Sequence, residues 1–178
     1  MLSSLFGKQD RERVLPGHST RELTDAKKRC KGELCAAIYL YDDSVFILSA
    51  IAGHTEAGEA VVLDVDVSDE ALGETLCDKL IEYEPNDRRE RPSHPVRDWA
   101  VFRASGARSG RGFEERSFYG YVRTINTAIR IDVTPRKTNH PEIRASCSLS
   151  NGQSHSSIGA AVRRAFEASK ILRQAGKV

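Results

Sequence analysis

Residues 61–80 read Val-Val-Leu-Asp-Val-Asp-Val-Ser-Asp-Glu-Ala-Leu-Gly-Glu-Thr-Leu-Cys-Asp-Lys-Leu. Two periods meet inside this stretch. Up to Val67 the pattern repeats every second residue, with Val65 and Val67 on one side and Asp64 and Asp66 on the other, as in a half-buried strand. After Ser68 the apolar residues return at helical spacing, at Leu72, Leu76, Leu80 and Tyr83. Ser68 suits an N-cap, and Asp69 and Glu70 suit the positive end of a helix dipole. Glu70, Glu74, Asp78 and Glu82 run down the outer side, and Pro85-Asn86 stop the helix. A strand that passes directly into an amphipathic helix calls for a sheet on which the helix can bury its stripe.

Upstream, residues 34–41 (LCAAIYLY) and 45–52 (VFILSAIA) are apolar and strand-sized, joined by the tight turn Asp42-Asp43-Ser44. Strands joined so closely must run antiparallel. A loop over 53–58 and a third strand over 59–67 complete a meander. Residues 1–33 form a polar N-terminal segment, partly mobile or lying as a helix on the surface, with Thr20 or Thr24 as its cap and Gly32 near its end. Downstream, the proline-rich stretch 85–98 is a loop and the best place for a boundary. Residues 99–104 read as a strand, 105–112 (SGARSGRG) as a flexible segment, and 114–124 as a short helix or strand. Residues 127–134 and 143–149 alternate as strands. A final helix over 156–174 carries the stripe Ile158, Val162, Ala165/Phe166 and Ser169/Leu172, closed by Gly176. The predicted fold is α+β, with residues 34–178 as a single domain. It has a mainly antiparallel sheet of about six strands, helices packed on one side, and the order β-β-β-α-β-β-β-α.

A chain of 178 residues can bury about 70% of its unfolded surface and needs no disulfide staples. The sequence shows no run of about 18 apolar residues that would span a membrane, and its first residues lack the pattern of a secretory signal. A cytoplasmic location with reduced thiols is therefore expected for the four cysteines. Cys30 and Cys35 are too far apart in sequence for a Cys-x2-Cys pair, and Cys77 and Cys147 stand alone, so no metal is expected. The five histidines are scattered. The serine-rich stretch 146–157 has no nucleophile elbow, and 105–112 lacks a Gly-Lys-Ser/Thr ending. The expectation is no enzyme and no cofactor.

The net charge of +2 hides a split. Residues 42–87 hold 13 acidic side chains and one basic one, Lys79, a net of −12, whereas 88–178 hold 18 basic against 7 acidic, a net of +11. The acidic segment points to a surface that meets a cationic partner, such as a nucleic-acid-binding protein. Its exposed carboxylates, Asp42, Asp43, Glu56, Glu59, Asp69, Glu70, Glu74 and Asp78, are the expected contact residues. The basic segment offers an alternative. Over 111–123 (RGFEERSFYGYVR) aromatics alternate with arginines, which suits base stacking with phosphate contact. Tyr119, Gly120, Tyr121 and Val122 match part of an RNA-recognition signature that fails at its leading Lys/Arg-Gly and last aromatic. On that reading Arg116, Phe118, Tyr119, Tyr121 and Arg123 form a small RNA-binding module.

The stretch 61–80 also resembles the core of contact-dependent growth inhibition (CDI) immunity proteins. The matching features are a strand, then Asp66-Val67-Ser68-Asp69-Glu70, then the Leu72-Gly73 pair, then Leu76 and Leu80. Tyr119-Gly120-Tyr121 is similar to a second element of that family. The sequence departs from the family pattern at 82–87, where an aromatic-serine-arginine stretch is absent, and in its long final helix. The resemblance implies a small cytoplasmic protein that binds the cognate CdiA-type toxin C-terminal domain, one to one, and neutralises it. Many such toxins are nucleases, for which an acidic face is suited. On this reading no membrane and no nucleic acid is a partner.

Overall fold

In the computed structural model, residues 18–86 and 99–176 are described. Strand β1 (Cys35–Tyr41) is buried along its whole length, on both faces. Its even-numbered residues Ala36, Ile38 and Leu40 enter one core, and its odd-numbered residues Cys35, Ala37, Tyr39 and Tyr41 enter another. β2 (Val45–Ala52) is buried without a break from Phe46 onward. An apolar run without alternation is what a strand covered on both sides requires.

β1 and β2 pair antiparallel from Tyr41↔Val45 to Ala36↔Ala50. Asp42 and Asp43, both at positive φ, make the turn, a conformation that aspartate tolerates. β3 (Thr55–Asp64) follows after only Gly53 and His54. The loop expected over 53–58 is thus mostly strand, and the strand ends at Asp64 rather than Val67. Val65 and Val67 lie in the turn beyond it, yet they still pack against the core while Asp64 and Asp66 stay exposed. The period-two pattern therefore outlives the ladder hydrogen bonds.

Helix α2 (Asp69–Ile81) begins where the sequence places it: the Ser68 hydroxyl accepts from Ala71 N at 3.2 Å. Leu72, Leu76 and Leu80 are fully buried. After the undescribed residues come two short helices, α3 (Ala100–Ala104) and α4 (Gly110–Arg116). The segment expected as a strand over 99–104 is a helix that lies on the sheet instead of joining it, with Val101 packed in the second core. The segment 105–112, expected to be flexible, includes the N-cap of α4, where the Ser109 hydroxyl accepts from Gly112 N at 3.1 Å. The stretch 114–124 is both helix and strand, since α4 ends at Arg116 and β4 (Ser117–Ile125) starts at once.

β5 (Ala128–Pro135) and β6 (Ala145–Ser150) close the sheet, and α5 (His155–Gln174) ends the fold. The sheet order is β3-β2-β1-β4-β5-β6, antiparallel throughout. The six-stranded antiparallel α+β fold is as expected. The long helices α2 and α5 share one face, with Ile158, Val162, Ala165 and Phe166 of α5 buried as the stripe predicts. α1 (His18–Cys30) adds Leu23 and Ala26 to that layer. The opposite face, uncovered in the sequence-based picture, carries a smaller core. There Val101 of α3 and Phe113 of α4 pack on Tyr39, Tyr41, Ile47 and Ile51.

α2 and α5 cross backbone to backbone. A Cβ on Gly73 would stand 1.9 Å from His155 O, and one on Gly159 would stand 2.0 Å from Asp69 O. The Leu72-Gly73 pair singled out in the sequence is therefore a packing requirement.

Candidate functional site

Three of the expected contact carboxylates are used inside the fold. Asp69 accepts from Arg163 Nε at 2.7 Å, and the same guanidinium donates to the carbonyls of Val65 and Val67 and lies 5.4 Å over the Phe46 ring. Glu70 accepts from Ser156 N at 2.9 Å, covering an open amide in the first turn of α5. Together these two side chains staple α2 to α5. Glu56 lies on the far side of the sheet, partly buried, where it accepts from the Tyr39 hydroxyl and, at 2.6 Å, from Trp99 Nε1. Burial raises its pKa, against these hydrogen bonds and the nearby Arg136.

Asp42 and Asp43 sit at the β1–β2 turn and meet cations. Asp42 pairs with Arg116 at 3.2 Å, and Asp43 pairs with Lys170 at 2.9 Å. Glu59 is exposed on the outer strand β3, its carbonyl accepting from Lys79 Nζ at 3.3 Å. Glu74 and Asp78 remain. They lie one turn apart on the exposed side of α2 and make no ion pair among the described residues. Burial, followed by Glu74, Glu82 and Glu22, raises the pKa of Asp78. Glu82 is paired with Lys79 at 2.8 Å. The structure thus gathers Glu74, Asp78 and Glu22 into one negative patch across α1 and α2. Glu22 escaped the sequence reading because it lies on a separate helix, outside the acidic segment.

The residues of the RNA-binding alternative separate by strand parity. Phe118 is buried among the helices, with Arg173 5.3 Å over its ring. Arg116 is held by Asp42 and the Tyr41 hydroxyl. Tyr119, Tyr121 and Arg123 face the other side. Tyr119 packs against Tyr39 at 5.1 Å between ring centres, and Arg136 lies 5.6 Å over it. Burial pushes the Tyr119 hydroxyl up to about 12. The Tyr121 hydroxyl donates to Cys35 Sγ at 3.0 Å. α3 packs on β2 and β3, and α4 meets β4, with Tyr119 and Tyr121 at the margin of the second core.

Register shows what lies beside them. Tyr121 pairs with Asp132 and Arg123 with Arg130, and Asp132 pairs in turn with Ser146 and Arg130 with Ser148. Asp132 accepts from Arg130 Nε at 3.0 Å and from the Ser146 hydroxyl. Burial opposes its charge, but these hydrogen bonds, with Arg130 and Arg144, hold its carboxyl below the usual range. The alternation in 127–134 and 143–149 marked these positions as one face of each strand, but which strands adjoin is set by topology.

Among the described residues, no cluster of three His, Cys, Asp or Glu side chains could hold a metal. His54, His140 and His155 lie in the β2–β3 turn, in the loop after β5 and at the start of α5, and His94 lies outside the described residues. No helix among the described residues is long and apolar enough to cross a membrane.

No protein-family model matches the chain, and no curated protein does. Solved structures share its fold. One is a chain of the "CdiA-CT/CdiI toxin and immunity complex from Yersinia pseudotuberculosis", with a TM-score of 0.55 and 20% identity over 76% of this chain and 96% of that one. Another is a protein of unknown function from Neisseria meningitidis, with a TM-score of 0.55 and 16% identity over 76% of this chain and 94% of that one. The α+β architecture is therefore one that occurs in a toxin–immunity complex.

Proposed function

We propose that this chain is an immunity protein of a contact-dependent growth inhibition system. It acts in the cytoplasm, without catalysis or a cofactor, by binding the C-terminal domain of a cognate CdiA-type toxin one to one. The observation that carries this reading is the fold shared with a chain of the Yersinia pseudotuberculosis toxin and immunity complex, along nearly all of that chain's length. The resemblance of residues 61–80 to the same family supports it from the sequence. The toxin is proposed to be a nuclease with a basic cleft. Of the eight carboxylates expected at the contact, Glu74 and Asp78, joined by Glu22, are best placed to meet that charge, because among the described residues their carboxylates form no ion pair. Asp42, Asp43 and Glu59 add to the field from the rim. Asp69 and Glu70 act mainly by holding α2 on α5.

The test is co-expression with the toxin domain encoded beside this chain. The expected result is a stable complex of equal stoichiometry and rescue of growth. A toxin that kills equally with and without this chain, and no complex on co-purification, would refute the reading. Within the complex, replacing Glu74 and Asp78 with Lys should slow association at least tenfold at low salt and much less at high salt. An association rate that stays the same at low salt removes the electrostatic part.

A further inference from the structure

The half of the sheet made by β4, β5 and β6 has one face under α5; on the other, among the described residues, α4 meets β4, while the β5 and β6 positions lie beyond that contact. The residues on that other face alternate strictly with core residues. Phe118, Val122, Ile129, Ile131 and Val133 point into the core, and Tyr121, Arg123, Arg130, Asp132, Ser146 and Ser148 point away from it. Strand geometry sets the grid: neighbours along a strand are about 7 Å apart and neighbours across strands about 5 Å apart.

Its chemistry is one-sided. Arg123, Arg130 and Arg144 supply guanidinium groups, and Tyr121, Ser146 and Ser148 supply hydroxyls. Asp132, the carboxylate between them, is buried and already satisfied by Arg130 and Ser146. Arg123 Nε is itself buried and makes no hydrogen bond, so a donor on this face is left unsatisfied. A shallow hollow of about 400 Å³ opens at one end, lined by Asn126, Arg130, Ser146 and Ser148 among others.

Among the described residues, the aliphatic side chains on this face, Ile125 and Ala128, lie at its end, at the β4–β5 turn, and not at its centre. Stable protein–protein contacts are built round an apolar, charge-depleted core, which is missing here. Contacts to a nucleic-acid backbone are instead made by Arg, Ser, Thr and Tyr through phosphate and sugar. We propose that this face binds the backbone of single-stranded nucleic acid, with Arg123, Arg130 and Arg144 on phosphates and the half-exposed Tyr121 ring beside a base. Base selection is weak, because the Tyr119 ring is already occupied by Tyr39 and Arg136. The site lies on the opposite side of the sheet from the acidic α1–α2 patch, so it does not depend on toxin binding.

The probe is a fluorescein-labelled 12-nucleotide oligouridylate, followed by fluorescence anisotropy with the full chain. Three phosphate contacts on a single strand imply about a 20-fold loss of affinity between 50 and 200 mM salt. Each of Arg123→Gln, Arg130→Gln and Arg144→Gln should weaken binding and flatten the salt dependence, and the triple variant should abolish it. Thermal melts check that the variants fold. Arg130→Gln also frees Asp132, so Arg144→Gln, which breaks no hydrogen bond among the described residues, is the cleaner variant. Photo-crosslinking of the bound oligonucleotide should recover a peptide that contains Tyr121. The proposal fails if the wild-type chain does not bind at 50 mM salt, or if binding survives the triple variant. It also fails if Arg103→Gln with Arg108→Gln, on the other side of α3 and α4, removes binding instead, or if the face retains only an acidic protein.

Discussion

Replacing Gly73 with alanine tests the whole arrangement of α2 on α5. The new methyl carbon would lie 1.9 Å from His155 O, 2.7 Å from His155 C and 3.0 Å from Gly159 N, all backbone atoms of α5. No side chain can swing aside, so the helices must part by about 1.5 Å to restore ordinary contact at 3.4 Å. That gap opens through the layer of Leu72, Leu76, Ile158 and Val162, all fully buried. A gap of 0.5–1 Å already forfeits roughly a quarter to a half of each dispersion contact, and overpacking alone costs about 1–3 kcal/mol or more. Alanine returns about 1 kcal/mol of helix propensity. The expected net loss is about 3 kcal/mol, a large share of a total stability of roughly 5–15 kcal/mol. With a urea slope of about 2 kcal/mol/M, the midpoint should fall by about 1.5 M. Gly159→Ala should behave alike. Because either substitution forces open the same crossing, the double variant should lose much less than the sum of the two. Gly32→Ala, whose nearest atom would be 3.9 Å away, is the control and should change stability by less than about 0.5 kcal/mol. Equilibrium urea unfolding read by circular dichroism measures all four. A Gly73→Ala midpoint equal to or above that of the wild type would refute the close crossing.

Three further outcomes follow from the same structure. Burial raises the Glu56 carboxyl above the ordinary glutamate range, so its stabilising influence is greatest at low pH and is lost as pH rises through the folded-state value. Glu56→Gln should therefore gain stability relative to the wild type as pH rises above the ordinary glutamate range, as measured by urea midpoints; a constant difference would show that Glu56 is not desolvated. Arg163→Met removes the donor to Asp69 and to the carbonyls of Val65 and Val67 while keeping a stem over Phe46. It should cost about 1.5–3 kcal/mol, the range for hydrogen bonds to charged groups, and a loss below about 0.5 kcal/mol would remove that staple. Burial pushes the Cys77 thiol up to about 12, so it should resist iodoacetamide at pH 8 in the native state and react on unfolding, with mass spectrometry as the readout.

Much of the fold can be read locally. The turn from period two to period 3.6 at Ser68, the N-cap Ser68 with Asp69 in the first turn, and the stripes Leu72-Leu76-Leu80 and Ile158-Val162-Phe166 are properties of neighbouring residues, and the structure uses each of them. The helix at 100–104 could not be read that way. Trp-Ala-Val-Phe is a good strand sequence, yet from Ala100 it is helical, with Val101 and Trp99 packed over Tyr39 and Phe113, contacts that are made only in the folded chain. The candidate site was legible only as charge. The acidic segment is one block in sequence, but the sheet divides it: Glu56 turns into the second core, Asp69 and Glu70 go to the α5 contact, and Glu74 and Asp78 stay outside with Glu22.

By itself, then, the sequence determined the elements whose cause is local: the strand and helix periods, the caps, the tight turns and the total of charge along each segment. The tertiary structure alone decided which strands adjoin, that the sheet has a second core under α3 and α4, and that its β4–β6 half presents arginines and hydroxyls on the face away from α5. The physical reason is range. Periodicity and capping act within a few residues, whereas pairing Arg123 with Arg130 and Ser148, or bringing Gly73 against His155, depends on contacts between segments that only the folded chain brings together.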